Sequence, residues 1–157
     1  MNWNIFKEKS ACAWGKWLWV TFGMNYILKN LAIGNFEDAQ DPPAGIDALL
    51  CVAQEIDLSH VRCLYYKVPI VDMQPIPVDQ LKEAVVFIRD HINNHKIMVY
   101  CNAGIGRSPS VVVAYLCCGQ SYGYGEAVEF VASQKPYMST LPNLIVSIEQ
   151  LKKIIPK

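Results

Sequence analysis

At 157 residues the chain has the length of one domain, enough to bury a single core. Lysine plus arginine and aspartate plus glutamate number 14 each, so the net charge is zero, and with no long basic block a nucleic-acid backbone is excluded as the expected partner. The six cysteines (Cys12, Cys51, Cys63, Cys101, Cys117, Cys118) form neither a Cys-x-x-Cys pair nor a zinc-ligand spacing, which predicts reduced thiols in a cytoplasmic setting.

Residues 1–26 read as an aromatic-rich extension. Trp3, Phe6, Trp14, Trp17, Trp19, Phe22 and Tyr26 stand there with Lys7, Lys9 and Lys16 among them. A bilayer span needs about 20 mostly apolar residues, and Gly15, Lys16, Gly23 and Asn25 interrupt this one. No small-residue cleavage site follows an apolar stretch, as a signal peptide requires. The expectation is a segment packed on the domain through amphipathic tryptophans, with contact to a membrane surface as the alternative.

The remainder, 27–157, reads as one domain. Loose alternation from Tyr26 to Asn35 predicts a strand and turn, and Phe36 to Ala39 a short helical stretch closed by Asp41-Pro42-Pro43. Ile46 to Ala53 and Cys63 to Val68 predict buried strands. Three prolines between Pro69 and Pro77 mark a loop. Leu81, Val85, Ile88 and Ile92 then hold a helical period up to Asn93-Asn94, and Lys96 to Tyr100 predicts another strand. Ser110 to Cys118 is nearly all apolar, a helix buried on most sides and ended by Gly119. Gly125 to Ser133 and Leu144 to Ile155 predict two more helices. Strands alternating with helices give an α/β fold: a central, mostly parallel twisted sheet of four to five strands flanked by helices on both faces.

The chemistry concentrates in Val99-Tyr100-Cys101-Asn102-Ala103-Gly104-Ile105-Gly106-Arg107-Ser108-Pro109. A cysteine leaves an apolar strand, a loop with two glycines follows, and Ser108-Pro109 predicts a helix start with Ser108 as N-cap. Gly104 and Gly106 let successive N–H groups turn inward, and the positive end of the helix dipole aims at the same space, so a phosphate fits there. That setting, with Arg107 beside it, favours the thiolate of Cys101 as a nucleophile, and Arg107 can fork two donors onto phosphoryl oxygens. The bland alternative is an inert core cysteine closing a strand. A departing alkoxide or phenoxide needs a proton, and Asp72, in the proline-marked loop, is the candidate acid. Asp79 is the rival, standing where a helix cap or first-turn acid stands. His60, His91 and His95 follow no metal-ligand spacing and are expected at the surface or at caps.

The run Val99 to Ser110 resembles the signature loop of dual-specificity phosphatases within the cysteine-based protein tyrosine phosphatase superfamily. Similarity extends to Asn30-Leu31-Ala32-Ile33-Gly34-Asn35, to Gly45 through Ala53, to Val68-Pro69-Ile70-Val71-Asp72, and to Lys135-Pro136 with Leu141-Pro142-Asn143 and Gln150-Leu151, covering about residues 27–153. The resemblance implies attack by Cys101 on phosphorus. Arg107 and the N–H groups of Asn102, Ala103, Gly104, Ile105, Gly106 and Arg107 would hold the phosphoryl oxygens. Asp72 would serve as general acid and then as base, and Ser108 would donate to the departing sulfur. It calls for no metal and no cofactor, and implies a phosphorylated protein or another phosphomonoester as substrate.

Tyr100 departs from the pattern, since that position is usually histidine in the family, and the expectation is a weaker enzyme. Two other functions follow as alternatives: a phosphate-binding pseudophosphatase, or a phosphatase of RNA ends or of a sugar or lipid phosphate. The loop carries no extra cation, which disfavours highly phosphorylated inositol lipids. Cys51 is expected in the core, with a disulfide to oxidised Cys101, as some relatives form, as its alternative role.

Overall fold

The computed structural model describes residues 23–156, so most of the aromatic extension lies outside the described residues. The segment expected as one strand over 26–35 is a hairpin. Strand β1 (Asn25–Leu28) runs antiparallel to β2 (Leu31–Gly34), with polar Lys29 and Asn30 at the turn between apolar Ile27 and Leu31, both buried. Asn25 and Tyr26 therefore belong to the sheet.

Helix α1 (Phe36–Gln40) follows directly, capped reciprocally: the Asn35 side chain accepts from the Asp38 N–H at 2.8 Å, and the Asp38 carboxylate accepts from the Asn35 N–H at 3.0 Å. Strands β3 (Ala48–Cys51) and β4 (Leu64–Lys67) come next, then α2 (Val78–His91) and β5 (Ile97–Tyr100). Asp79 sits in the first turn of α2, where an acid favours the helix dipole. Helices α3 (Arg107–Gly119), α4 (Tyr124–Gln134) and α5 (Leu144–Ile154) complete the domain.

The sheet order is β1-β2-β5-β3-β4, and every pairing except the β1–β2 hairpin is parallel. Strand β5 is central and all four of its residues are buried, which is why it reads as an unbroken apolar run. Helix α3 lies against β5 and β2 and packs on α2, α4 and α5. Every residue from Arg107 to Cys117 is buried, so the apolar run has no solvent face to keep polar.

This order positions the site. The chain leaves β2 for α1 and leaves β3 in the other direction, with β5 inserted between them. The loop after β5 thus opens at the carboxyl end of the strands where the winding reverses, the place where a parallel sheet leaves a crevice.

Candidate active site

The loop from Cys101 to Gly106 is shaped by where its carbonyls go. The Asn102 carbonyl accepts from the Phe36 N–H (3.1 Å), that of Ile105 from the Ser139 N–H (2.8 Å), and that of Gly106 from the Ser110 N–H (3.0 Å) and hydroxyl (2.7 Å). No described peptide bond is cis, and in a trans peptide the N–H points opposite to the carbonyl. The N–H groups of Ala103, Gly106 and Arg107 are thereby turned away from those outer partners. Gly104 has φ +70°, and a Cβ there would stand 2.6 Å from the Gly34 carbonyl oxygen. Both the backbone angle and the close approach to β2 require glycine.

Cys101 is buried at the base of this loop. Its Sγ lies 2.9 Å from the Ser108 hydroxyl and accepts from the Gly104 N–H at 3.3 Å. Ser108 is not the N-cap that the sequence suggests. Helix α3 begins two residues earlier than that cap would place it, at Arg107 after Gly106, which puts Ser108 inside the first turn with its hydroxyl turned to the sulfur. Pro109 is still tolerated, because a first-turn N–H has no intrahelical partner to lose.

Arg107 is 2% exposed and tightly held. Its Nη1 donates to Glu55 Oε2 (2.5 Å) and to the Ile70 carbonyl (3.2 Å), and its Nη2 donates to Glu55 Oε1 (2.5 Å). Glu55 thus grips the end of the guanidinium. Of five N–H donors in all, the Nε–H and the second Nη2–H remain, side by side on one edge. Nε is buried without a hydrogen-bond partner, a costly state that an oxyanion on that edge would relieve. Hydrogen bonding to Arg107 holds the Glu55 carboxyl below the ordinary glutamate value.

Asp72 reaches the same edge, its Oδ1 3.7 Å from Arg107 Nε. That oxygen also accepts from the Met73 N–H at 2.9 Å, closing a turn that puts Met73 at φ +58°. The proline-marked loop is pinned at several points: the Ile70 carbonyl accepts from the Gln54 N–H, the Pro69 carbonyl from Gln80 and the Ile76 carbonyl from the buried Ser147 hydroxyl. The acid is thus held in place from both ends of its loop.

A cavity of about 420 Å³ joins these groups, lined by Cys101, Asn102, Ala103, Ile105, Gly106 and Arg107 at the base and by Asp72 and Glu55 at the side. Asp79 and the three histidines do not line it. Gly104 is placed through its N–H on Cys101, and Ser108 through its hydroxyl. Two contributions escaped the sequence reading. One is Glu55, whose position just past the end of β3, next to the strand that carries the loop, was the available signal. The other is the wall formed by Ser139, Thr140, Leu141 and Pro142. That wall is strapped to the loop by the Ser139–Ile105 bond and by the buried Ser110 hydroxyl, which accepts from the Leu141 N–H at 2.9 Å.

Tyr100 is fully buried, and burial raises its pKa, with the Cys51 thiol and Tyr65 hydroxyl facing its ring end. Cys51 pairs with Tyr100 in the β3–β5 register and sits in the core. Behind the loop, buried Lys135 donates to the Gly23 carbonyl (3.1 Å) and to Asn25 Oδ1 (3.3 Å). Burial pulls its pKa down, opposed by Asp38 and Cys101. Among the described residues no group of three or more His, Cys, Asp or Glu is placed to hold a metal ion, and no helix is long and apolar enough to cross a membrane.

The family profile described as dual specificity phosphatase, catalytic domain, matches residues 32–154. The chain belongs to the dual specificity phosphatase family. Among curated relatives, mouse (Mus musculus) dual specificity protein phosphatase 15 is 28% identical over 134 residues, covering 82% of this chain and 57% of the relative. Zebrafish (Danio rerio) dual specificity protein phosphatase 22-A is 30% identical over 122 residues, covering 74% and 59%. The chain therefore spans somewhat more than half the length of these relatives. Among solved structures, that of DUSP15 superposes with a TM-score of 0.74 at 24% identity, over 85% of this chain and 89% of the other. A human tyrosine phosphatase-like serine/threonine/tyrosine-interacting protein superposes with a TM-score of 0.75 at 21% identity, over 85% and 97%. The mostly parallel five-stranded sheet is the fold of this family.

Proposed function

We propose that the chain is a cysteine-dependent phosphatase that hydrolyses phosphate monoesters on proteins through a phosphocysteine intermediate. The observation that carries this reading is the free edge of Arg107, buried and unpartnered at Nε, in the same cavity as the Cys101 sulfur and the Asp72 carboxyl. The Nε–H and Nη2–H would take two phosphoryl oxygens while inward N–H groups of the loop take the third. The Cys101 thiolate forms the S–P bond as the ester P–O bond breaks, and protonated Asp72 gives its proton to the leaving oxygen. Asp72, now a carboxylate, removes a proton from water as that water attacks phosphorus. The S–P bond breaks, releasing phosphate, and the Ser108 hydroxyl stabilises the thiolate that returns.

The requirement for a reduced nucleophile fits a cytoplasmic protein. The test is hydrolysis of para-nitrophenyl phosphate with chelator present, inhibited by vanadate and abolished in Cys101→Ser. Activity persisting in that variant overturns the mechanism. Wild-type protein that binds vanadate yet hydrolyses nothing indicates the pseudophosphatase alternative, which Tyr100 motivates. Asp72→Ala, used to trap phosphorylated proteins, tests the acid.

A further inference from the structure

Resting on that reading, we infer that this site selects a singly phosphorylated segment with apolar residues beside the phosphorylated one, Met73 setting the preference for the neighbours and Glu55 and Asp72 turning away a second anion. Among the described residues that line the cavity, Arg107 is the one cation; Glu55 takes one Nη1 and one Nη2 donor end-on, and the Ile70 carbonyl takes the other Nη1 donor. What remains on Arg107 is a single side-on fork, the capacity for one phosphoryl group. Lys135, the other cation behind the loop, is 2% exposed and spends its ammonium on Gly23 and Asn25, out of reach of a ligand.

The charged side chains at the cavity's edge that do reach water are both carboxylates, Glu55 with 48% and Asp72 with 55% of the side chain exposed. Arg107 balances Glu55 alone, so a second phosphate, or an acidic residue next to the first, would meet no free cation among the residues lining the cavity. The uncharged part of the rim is mixed, with Asn102, Ser139 and Thr140 polar and Met73, Ile105 and Pro142 apolar. Met73 is 79% exposed, and its left-handed backbone is held by the Asp72 carboxylate accepting from its N–H. A large apolar side chain standing in water beside the acid, on a backbone conformation uncommon outside glycine and asparagine, offers apolar surface to whatever flanks a bound phosphate. Ile105, exposed at the tip of the loop, continues the same surface.

The experiment measures binding to Cys101→Ser protein by fluorescence anisotropy, with three phosphotyrosyl peptides of equal length. One has leucine and valine flanks, one glutamate flanks, and one apolar flanks with an added phosphothreonine two residues away. The apolar, singly phosphorylated peptide should bind about 10-fold more tightly than either other. Raising ionic strength to about 0.5 M should narrow the gap for the two anionic peptides. Met73→Lys should bring all three within about 2-fold of one another. Equal affinities in the parent protein, tighter binding of the doubly phosphorylated peptide, or a ranking that Met73→Lys leaves in place overturns the inference. Para-nitrophenyl phosphate turnover by wild-type protein, measured alongside, tests the phosphatase reading separately, because peptide ranking is read from binding alone.

Discussion

Glu55 is the residue on which the geometry of Arg107 depends, and Glu55→Ala is the sharpest perturbation of it. Removal deletes two hydrogen bonds of 2.5 Å and leaves a guanidinium that is 2% exposed with only the Ile70 carbonyl and the distant Asp72 oxygen. Stripping one partner from a fully buried pair costs about 3–5 kcal/mol, and an exposed pair is worth about 0–1 kcal/mol. With Arg107 buried and Glu55 half in water, the expected loss lies between, about 2 kcal/mol. The effect on catalysis is larger than a stability change conveys, because the side-on fork loses its orientation. A displacement of about 1 Å in such a group costs about 100-fold, so kcat/KM for para-nitrophenyl phosphate should fall about 10- to 100-fold, with a parallel rise in the inhibition constant for vanadate. The folded-state pKa of Glu55 is lowered, so its contribution is complete above the ordinary glutamate value and is lost as pH falls through the lowered one. Wild type and Glu55→Gln should therefore converge in stability in that acid window. Unchanged kcat/KM and vanadate inhibition in Glu55→Ala would show that the loop alone orients Arg107. A gain of activity would show that Glu55 competes with the phosphate. Either result refutes the reasoning.

The remaining predictions concern the loop and its supports. Gly104→Ala should cost about 1–3 kcal/mol from its backbone conformation alone, with loss of vanadate binding, because φ is +70° and the new methyl meets the Gly34 carbonyl. Gly106→Ala, with φ −112° and no atom closer than 3.6 Å to the added carbon, should stay within about 1 kcal/mol of wild type. Thermal melts of the two variants decide the comparison, and equal destabilisation contradicts it. Ser110→Ala leaves the buried Leu141 N–H without its acceptor, a loss of about 1–3 kcal/mol. KM should rise as the wall detaches, and Ser110→Thr should restore it. Tyr100→Phe removes a buried hydroxyl that makes no hydrogen bond of good geometry, so denaturant melts should place it within about 1 kcal/mol of wild type. A loss above about 2 kcal/mol would assign that hydroxyl a bond to Cys51 or Tyr65.

The parts legible in the sequence are those where local chemistry and tertiary demand coincide. Strand β5 and helix α3 from Val111 to Cys117 are apolar without interruption because the fold covers them on all sides, and the loop between them carries one glycine, Gly104, where only glycine fits. The same coincidence explains why the prolines announced the loop of Asp72. Where one residue could satisfy two rules, the wrong one was available. Ser108 before a proline has the signature of an N-cap, but the sulfur 2.9 Å away takes its hydroxyl, and Gly106 precedes the helix instead. Lys29 and Asn30 break a run that reads as one strand, and only the pairing of Tyr26 with Ala32 reveals the hairpin. Glu55 was hidden for a different reason. Its partner is far away in the chain, and nothing local distinguishes an acid that grips an arginine from one that meets water. What makes it legible afterwards is topology: β3 is the parallel neighbour of β5, so a residue just beyond the end of β3 stands beside the loop that leaves β5. The arginine's free edge therefore depends on a strand order that no local pattern encodes, and the strength of the phosphate site is a property of the sheet as much as of the loop.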